Sequence, residues 1–150
     1  MRKIIAILPL LLFMLSAAHA DSGLVTARSA YDVKTTAERL EQVLKSKGMN
    51  VFIRIDHSAN AQRAGMQLQP TELIIFGNPN VGTPLMQCAQ TIAIDLPQKA
   101  LIWEDKSGQT WLTYNDPAYL AKRHGIAECK DVMKKVGGAL QNFARAATTP

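Results

Sequence analysis

The stretch IDHSANAQRAGMQLQPTELIIFGNPNVGTPLMQCAQTIAIDLP, Ile55 to Pro97, decides how this chain is built. It opens on the end of one strand and crosses a small polar segment, Ser58 to Gln69, that is partly helical in composition. It then enters TELIIF, Thr71 to Phe76, a near-continuous apolar run that reads as a central strand. GNPNVG follows as a turn. Thr83 is placed to cap, and Pro84 suits the first position of a helix running to about Ile94, which Leu96-Pro97 ends.

Upstream, Met49 to Asp56 alternates, with Val51, Ile53 and Ile55 on one face and Phe52, Arg54 and Asp56 on the other. That is the pattern of a half-buried antiparallel strand. Before it, Thr35 and Glu38 have capping-box spacing, and Ala37, Leu40, Val43 and Leu44 recur at helical period until Gly48 stops the helix. Gly23 to Ser29 is a short β-prone run. Downstream, Lys99 to Glu104 and Thr110 to Asn115 form two strands joined through Asp105-Lys106-Ser107-Gly108, with Trp103 and Trp111 packing against a helix or a neighbour. Asp116-Pro117 starts a short helix, and Ile126 to Ala147 forms a long amphipathic one, kinked from its predecessor at Gly125. The order β-α-β-β-α-β-β-α implies one α+β domain.

The first twenty residues read as a targeting segment. Arg2 and Lys3 precede the apolar run Ile4 to Leu15, and Ala18-His19-Ala20 is a small-x-small cleavage pattern. A run of that length spans only about 18 Å as helix, against roughly 30 Å of bilayer core. The expectation is a signal peptide over 1–20, a mature domain over 21–150, no stable membrane insertion after cleavage, and a periplasmic or secreted location. The formal charge of +5 falls to +3 without Arg2 and Lys3, a solubility-level excess that argues against nucleic acid as partner.

Cys88 and Cys129 are the two cysteines, so one intrachain pairing exists. In an oxidising compartment a disulfide is expected. Each falls on the apolar face of its helix, Cys88 with Leu85, Ala89 and Ile92, and Cys129 with Ile126, Met133, Val136 and Leu140. Both thiols are therefore expected to point inward, with two buried free cysteines as the alternative.

Five segments together resemble a bacterial family called Domain of Unknown Function 302. They are GLVTARSAYDVKTTAERLEQVLKSKG from Gly23, VFIRIDHSANAQRAG from Val51, PTELIIFGNPNVGTPLM from Pro70, AIDLPQKALIWED from Ala93 and TYNDPAYLAKRHGI from Thr113. The resemblance implies a TATA-binding-protein-like α+β fold, with helices on one face of a curved antiparallel sheet of about five strands. It also implies association as a homodimer. It implies no activity, and the family motif does not require the cysteine pair or the long C-terminal helix.

Candidate chemistry gathers at two places. Asp56 beside His57 could orient and charge an imidazole, with Glu72 as a second carboxylate partner, although strand neighbours point to opposite faces. Asp56 could equally cap the turn after it. The segment Gly77 to Thr83 has the length of a phosphate loop, but Thr83 stands where its lysine would be, which argues against a nucleotide hydrolase. Asn78, Gly82 and Thr83 could still hold an anion at a helix start, or serve only a tight turn. Spacing indicates no metal site and no cofactor. Lys122, Arg123, Lys130, Lys134 and Lys135 read as a solvated helix face, since Glu128 and Asp131 interleave with them.

These residues support a non-catalytic module binding a small ligand or a protein partner. Its site would lie between the sheet, the His57–Gly65 loop and the Asn78–Gly82 turn. The alternative is a cofactor-free enzyme using His57 as acid and base.

Overall fold

A computed structural model describes residues 22–150. The expected leader and cleavage site lie outside them. The strands are β1 (Leu24–Arg28), β2 (Asn50–Asp56), β3 (Thr71–Gly77), β4 (Gln98–Glu104) and β5 (Thr110–Asn115). The helices are α1 (Val33–Ser46), α2 (His57–Arg63), α3 (Pro79–Cys88), α4 (Pro117–Arg123) and α5 (Lys130–Thr148), with a 3-10 turn at Gln90–Ile94. The strands form one antiparallel sheet in the order β1-β5-β4-β3-β2. TELIIF is internal, as its unbroken apolar character requires.

One face of the sheet meets the helices. Ile74 and Phe76 from β3, Ala100 and Ile102 from β4, and Leu112 and Tyr114 from β5 pack with Val33, Ala37, Leu40 and Leu44 of α1 and with Leu140, Phe143, Ala144 and Ala147 of α5. Leu40, Leu44, Ile74 and Ile102 are fully enclosed. Each such side chain contributes roughly 1.5–3 kcal/mol by leaving water. A second cluster, Leu85, Ile92, Leu120, Ile126 and Met133, binds α3, the 3-10 turn and α4 to the first half of α5.

Several boundaries differ from the sequence reading. The cap of α1 is Asp32, whose carboxylate accepts from Thr35 N at 2.6 Å, so the Thr35–Glu38 box is not used. That hydrogen bond also holds the Asp32 carboxyl below its ordinary range. GNPNVG is not an open turn: Asn78 caps α3 and Pro79 takes its first position, which leaves Pro84 inside the helix. Asp56 caps α2, which starts at His57 beside the segment of partly helical composition, so of its two readings the capping one is the one formed. α4 and α5 are separate helices, parted at Gly125, which adopts a positive φ.

The largest departure is in β2. Val51 pairs with Phe76 but Ile53 pairs with Ile75, so Phe52 is an extra residue in the ladder. Such a bulge exchanges the faces of all residues beyond it. Val51 therefore packs inward while Ile53 and Ile55 share the opposite face with Leu73 and Ile75. Trp103 and Trp111 face each other across β4 and β5 on that same outer face, neighbours rather than helix contacts.

Cys88 and Cys129 are bonded, their Cα atoms 6.4 Å apart. Their setting corrects the inward-facing expectation: Cys88, the last residue of α3, is exposed, and Cys129, the residue before α5, is half-buried. The bond fastens two helix ends at the periphery.

Candidate functional site

The six candidate residues do not meet. Asp56 is paired with Glu72 at one end of the β2–β3 hairpin, and Asn50 with Gly77 at the other. Six strand steps separate the ends, roughly 20 Å. Asp56, His57 and Glu72 therefore stand at one end, and Asn78, Gly82 and Thr83 beyond the other. The expected convergence of the His57–Gly65 segment with the Asn78–Gly82 turn is corrected on this ground.

At the first end the acidic groups already have partners. Asp56 Oδ1 accepts from Ser58 Oγ at 2.6 Å and from Ala59 N at 2.8 Å, and these bonds hold its carboxyl below the usual range, the serine foremost. It serves α2 as a cap and is not bonded to His57, which is half-buried in the first turn of that helix. Glu72 is buried and ion-paired to Arg54. Arg54 also lies 3.8 Å from Glu41, and its guanidinium is held charged chiefly by Glu72. Breaking one side of such a part-buried pair leaves the other charge uncompensated, which makes this cluster a structural brace.

The second end holds a cavity of about 740 Å³. Its walls are the start of β2 (Met49, Asn50, Phe52), the Phe76–Gly77 end of β3, the whole first half of α3, the Leu96–Gln98 segment and one stripe of α5 from Val132 to Phe143. Asn78, Gly82 and Thr83 belong to this wall. The sequence builds it in a traceable way. β3 runs out at Gly77, where an added Cβ would lie 3.4 Å from Phe52 Cε2 and 3.5 Å from Pro97 Cβ, so the strand end packs closely against its neighbours. Asn78 then turns the chain: its Oδ1 accepts from Asn80 N at 2.9 Å and its Nδ2 donates to Gly48 O at 3.0 Å. α3 is thereby laid across the sheet end like a roof, and its far end is bonded to Cys129 ahead of α5.

An anion cradle is absent from this roof. Val81 N and Gly82 N both bond back to Asn78 O at 2.9 Å, so two of the amides that a phosphate would need are occupied. The lining is instead mainly apolar, and two of its polar residues stand out: Gln98, which the sequence did not single out, and Lys135, which it placed on a solvated helix face. Gln98, 7% exposed, stands opposite Phe76 on the helix side of the sheet, and its Oε1 has no hydrogen-bond partner. Lys135 is exposed on the α5 wall and makes no ion pair among the described residues. Gln98 had a legible signal: it shares strand parity with Ala100 and Ile102, a polar residue on an otherwise apolar face. Starting the strand at Lys99 hid it.

A third grouping joins residues far apart in sequence. His124 Nε2 lies 2.6 Å from Asp95 Oδ2, and its Nδ1 lies 3.1 Å from Thr91 Oγ1. The imidazole is almost fully enclosed. An acid–imidazole–hydroxyl chain has the order of parts used in nucleophilic catalysis, yet neither depression found near α5 includes these residues. Here the chain ties the end of α4 to the 3-10 turn. Lys122, Lys130 and Lys134 of the basic group border a second depression of about 710 Å³ between α4 and α5. No group of three or more His, Cys, Asp or Glu side chains suited to a metal ion occurs among the described residues.

Comparison with known proteins agrees with this architecture. A crystal structure of an uncharacterized conserved protein from Bacillus stearothermophilus superposes with a TM-score of 0.76 over 84% of this chain and 98% of the other, at 19% identity, which establishes a shared fold. A protein of Brucella suis named fluoride-specific ion channel FluC 1 is 58% identical over 115 residues, 77% of this chain but 45% of the relative. A Brucella abortus protein of the same name matches at 58% over 115 residues and 43% of its length. The chain thus spans less than half of these relatives. The family model described as domain of unknown function DUF302 matches residues 25–143, and the chain belongs to that family.

Proposed function

We propose that this protein is an exported, non-catalytic module that takes a small, mainly apolar molecule into the cavity between α3, α5 and the sheet end. One observation carries this reading, the apolar cavity of about 740 Å³. Its size falls within the roughly 300–1,000 Å³ of small-molecule sites. The test is titration with aminoanthracene, whose emission shifts to the blue in apolar surroundings. Saturable binding that Ala139→Trp abolishes, in a variant that keeps its far-ultraviolet spectrum, is the expected result. No saturable binding, or binding indifferent to Ala139→Trp, would refute it. Against acid–base catalysis by His57 stands the commitment of Asp56 to capping α2.

The Brucella relatives are named as channels, but no helix among the described residues here is long and apolar enough to cross a membrane. We assign channel activity to the part of those proteins beyond the match, and read the shared segment as a ligand-binding appendage. Export rests on the basic-then-apolar leader. Its check is the N-terminus of the protein recovered after expression with that leader, expected at Asp21.

Homodimerisation would cover the sheet face bearing Ile53, Leu73, Ile75, Leu101 and Trp103. Five strands about 4.8 Å apart and about 20 Å long give a flat footprint of roughly 500 Å² there, which in accessible surface does not exceed the roughly 800 Å² per partner of a standard interface. The reading is therefore a dimer in exchange with monomer. Sedimentation should show a mass that rises with concentration and stays monomeric in Leu101→Lys.

A further inference from the structure

We propose that the ligand of this cavity is an amphiphilic carboxylic acid that carries a hydrogen-bond donor on its apolar body. The proposal rests on the binding reading above and adds the chemistry of the occupant. Two groups specify it. The Gln98 side chain is more than nine-tenths buried, lines the cavity, and keeps Oε1 without a partner. A buried amide oxygen in an apolar wall is unfavourable unless a donor reaches it. No donor of the wall reaches it: the Asn78 amide directs its hydrogen bond to Gly48 O, and Asn50, Asn80 and Thr83 make none to Gln98. A hydroxyl or N–H on the ligand would complete the wall.

The second group is Lys135. It is an exposed ammonium on the α5 side of the same cavity and has no ion-pair partner among the described residues. Asp131, one helical turn earlier, leaves it unpaired. Most of the rest of the wall is apolar, Met49, Phe52, Val81, Leu96, Val136 and Phe143 among it, and gives an aliphatic body a largely apolar surface, with Asn50, Asn78, Asn80 and Thr83 the uncharged polar members. Phe52 and Val81 are both exposed, 56% and 37%, where they flank the opening. Such a wall binds by excluding water from the chain of the ligand, while the buried oxygen and the exposed cation set its two polar points. A purely aliphatic acid satisfies only Lys135, and an alcohol satisfies only Gln98. A phosphorylated ligand is disfavoured because Lys135 is a single cation and the α3 amides Val81 N and Gly82 N are already bonded.

The experiment displaces aminoanthracene from the full-length mature protein with ω-hydroxydodecanoic acid, dodecanoic acid and dodecanol. Wild type should bind the hydroxy acid about five- to tenfold more tightly than either of the others, the ratio one net hydrogen bond supplies. Gln98→Leu should erase the preference for the hydroxy acid over the plain acid. Lys135→Met should erase the preference for the hydroxy acid over dodecanol. Equal affinity of wild type for the three compounds would overturn this assignment while leaving the apolar-cavity reading intact. Failure of the fluorophore to bind at all would overturn both. The comparison within wild type decides the matter even if a variant does not fold.

Discussion

The Asn78 side chain donates to the Gly48 carbonyl oxygen at 3.0 Å, across thirty positions of sequence, while its own oxygen caps α3. One amide thus ends β3, starts the cavity roof and ties that roof to the turn between α1 and β2. Asn78→Ala removes both bonds. Thermal or urea unfolding should show a loss of about 1–2 kcal/mol. Aminoanthracene binding should weaken by more than the unfolded fraction explains, because α3 loses its hinge to the sheet. Unchanged stability would show that the Gly48 tie is not formed in solution.

Arg39 closes the other end of the molecule. Its Nε donates to Ala147 O at 3.1 Å and its Nη2 to Ala146 O at 3.0 Å and Thr149 O at 2.6 Å, with the guanidinium 4.3 Å from the Tyr31 ring centroid. Ala146 and Ala147 lie in the last turn of α5 and Thr149 caps it, a helix end whose carbonyls lack intrahelical donors and where a cation is also favoured by the helix dipole. Arg39→Met keeps much of the aliphatic stem and should still cost about 2 kcal/mol. Hydrogen exchange should quicken in the last turn of α5 and little elsewhere. Uniform quickening would point to global destabilisation instead.

The Cys88–Cys129 bond closes a segment with a separation of 41. Constraining the unfolded chain over that length is worth roughly 3–4 kcal/mol. Cys88→Ser together with Cys129→Ser should lower stability by about that amount, with a near-native spectrum, because the bond lies at the periphery. Thiol counting on denatured native protein should find no free thiol. Two titratable thiols would refute the pairing.

Acid should act through Asp105. Its carboxylate accepts from Ser107 Oγ at 2.6 Å, Trp111 Nε1 at 2.8 Å and the amides of Ser107 and Gln109, and the Ser107 bond leads in holding its carboxyl far below the ordinary range. A lowered folded-state value means stability that is present above the unfolded value near 4 and lost as pH falls toward the folded one. Between about pH 4 and pH 2 the wild type should therefore lose stability more steeply than Asp105→Asn. Parallel curves for the two would sink the assignment.

Much of the scaffold is legible in the order of residues. TELIIF identified itself as an inner strand, Gly48 as a helix stop, and the Asp105–Gly108 connection as the corner of a hairpin. Even the separation of Asp56 from Asn78 was implicit, since a whole strand lies between them and an antiparallel pair returns its far end to the opposite edge. Periodicity failed where one residue changed it: nothing local marks Phe52 as the bulged position, yet it turns Ile53 and Ile55 outward.

What the amino-acid order determined by itself is local: which segments extend, which coil, where they are capped, and that they form one α+β family member. Tertiary structure alone decided that Asn50, Gly82, Gln98 and Val136 enclose a common space. Short-range propensity acts over a few residues, whereas a cavity is the gap left when distant elements cannot fill the volume between them. Its shape depends on register, helix tilt and the anchoring of α3, and these arise only when the whole chain packs at once.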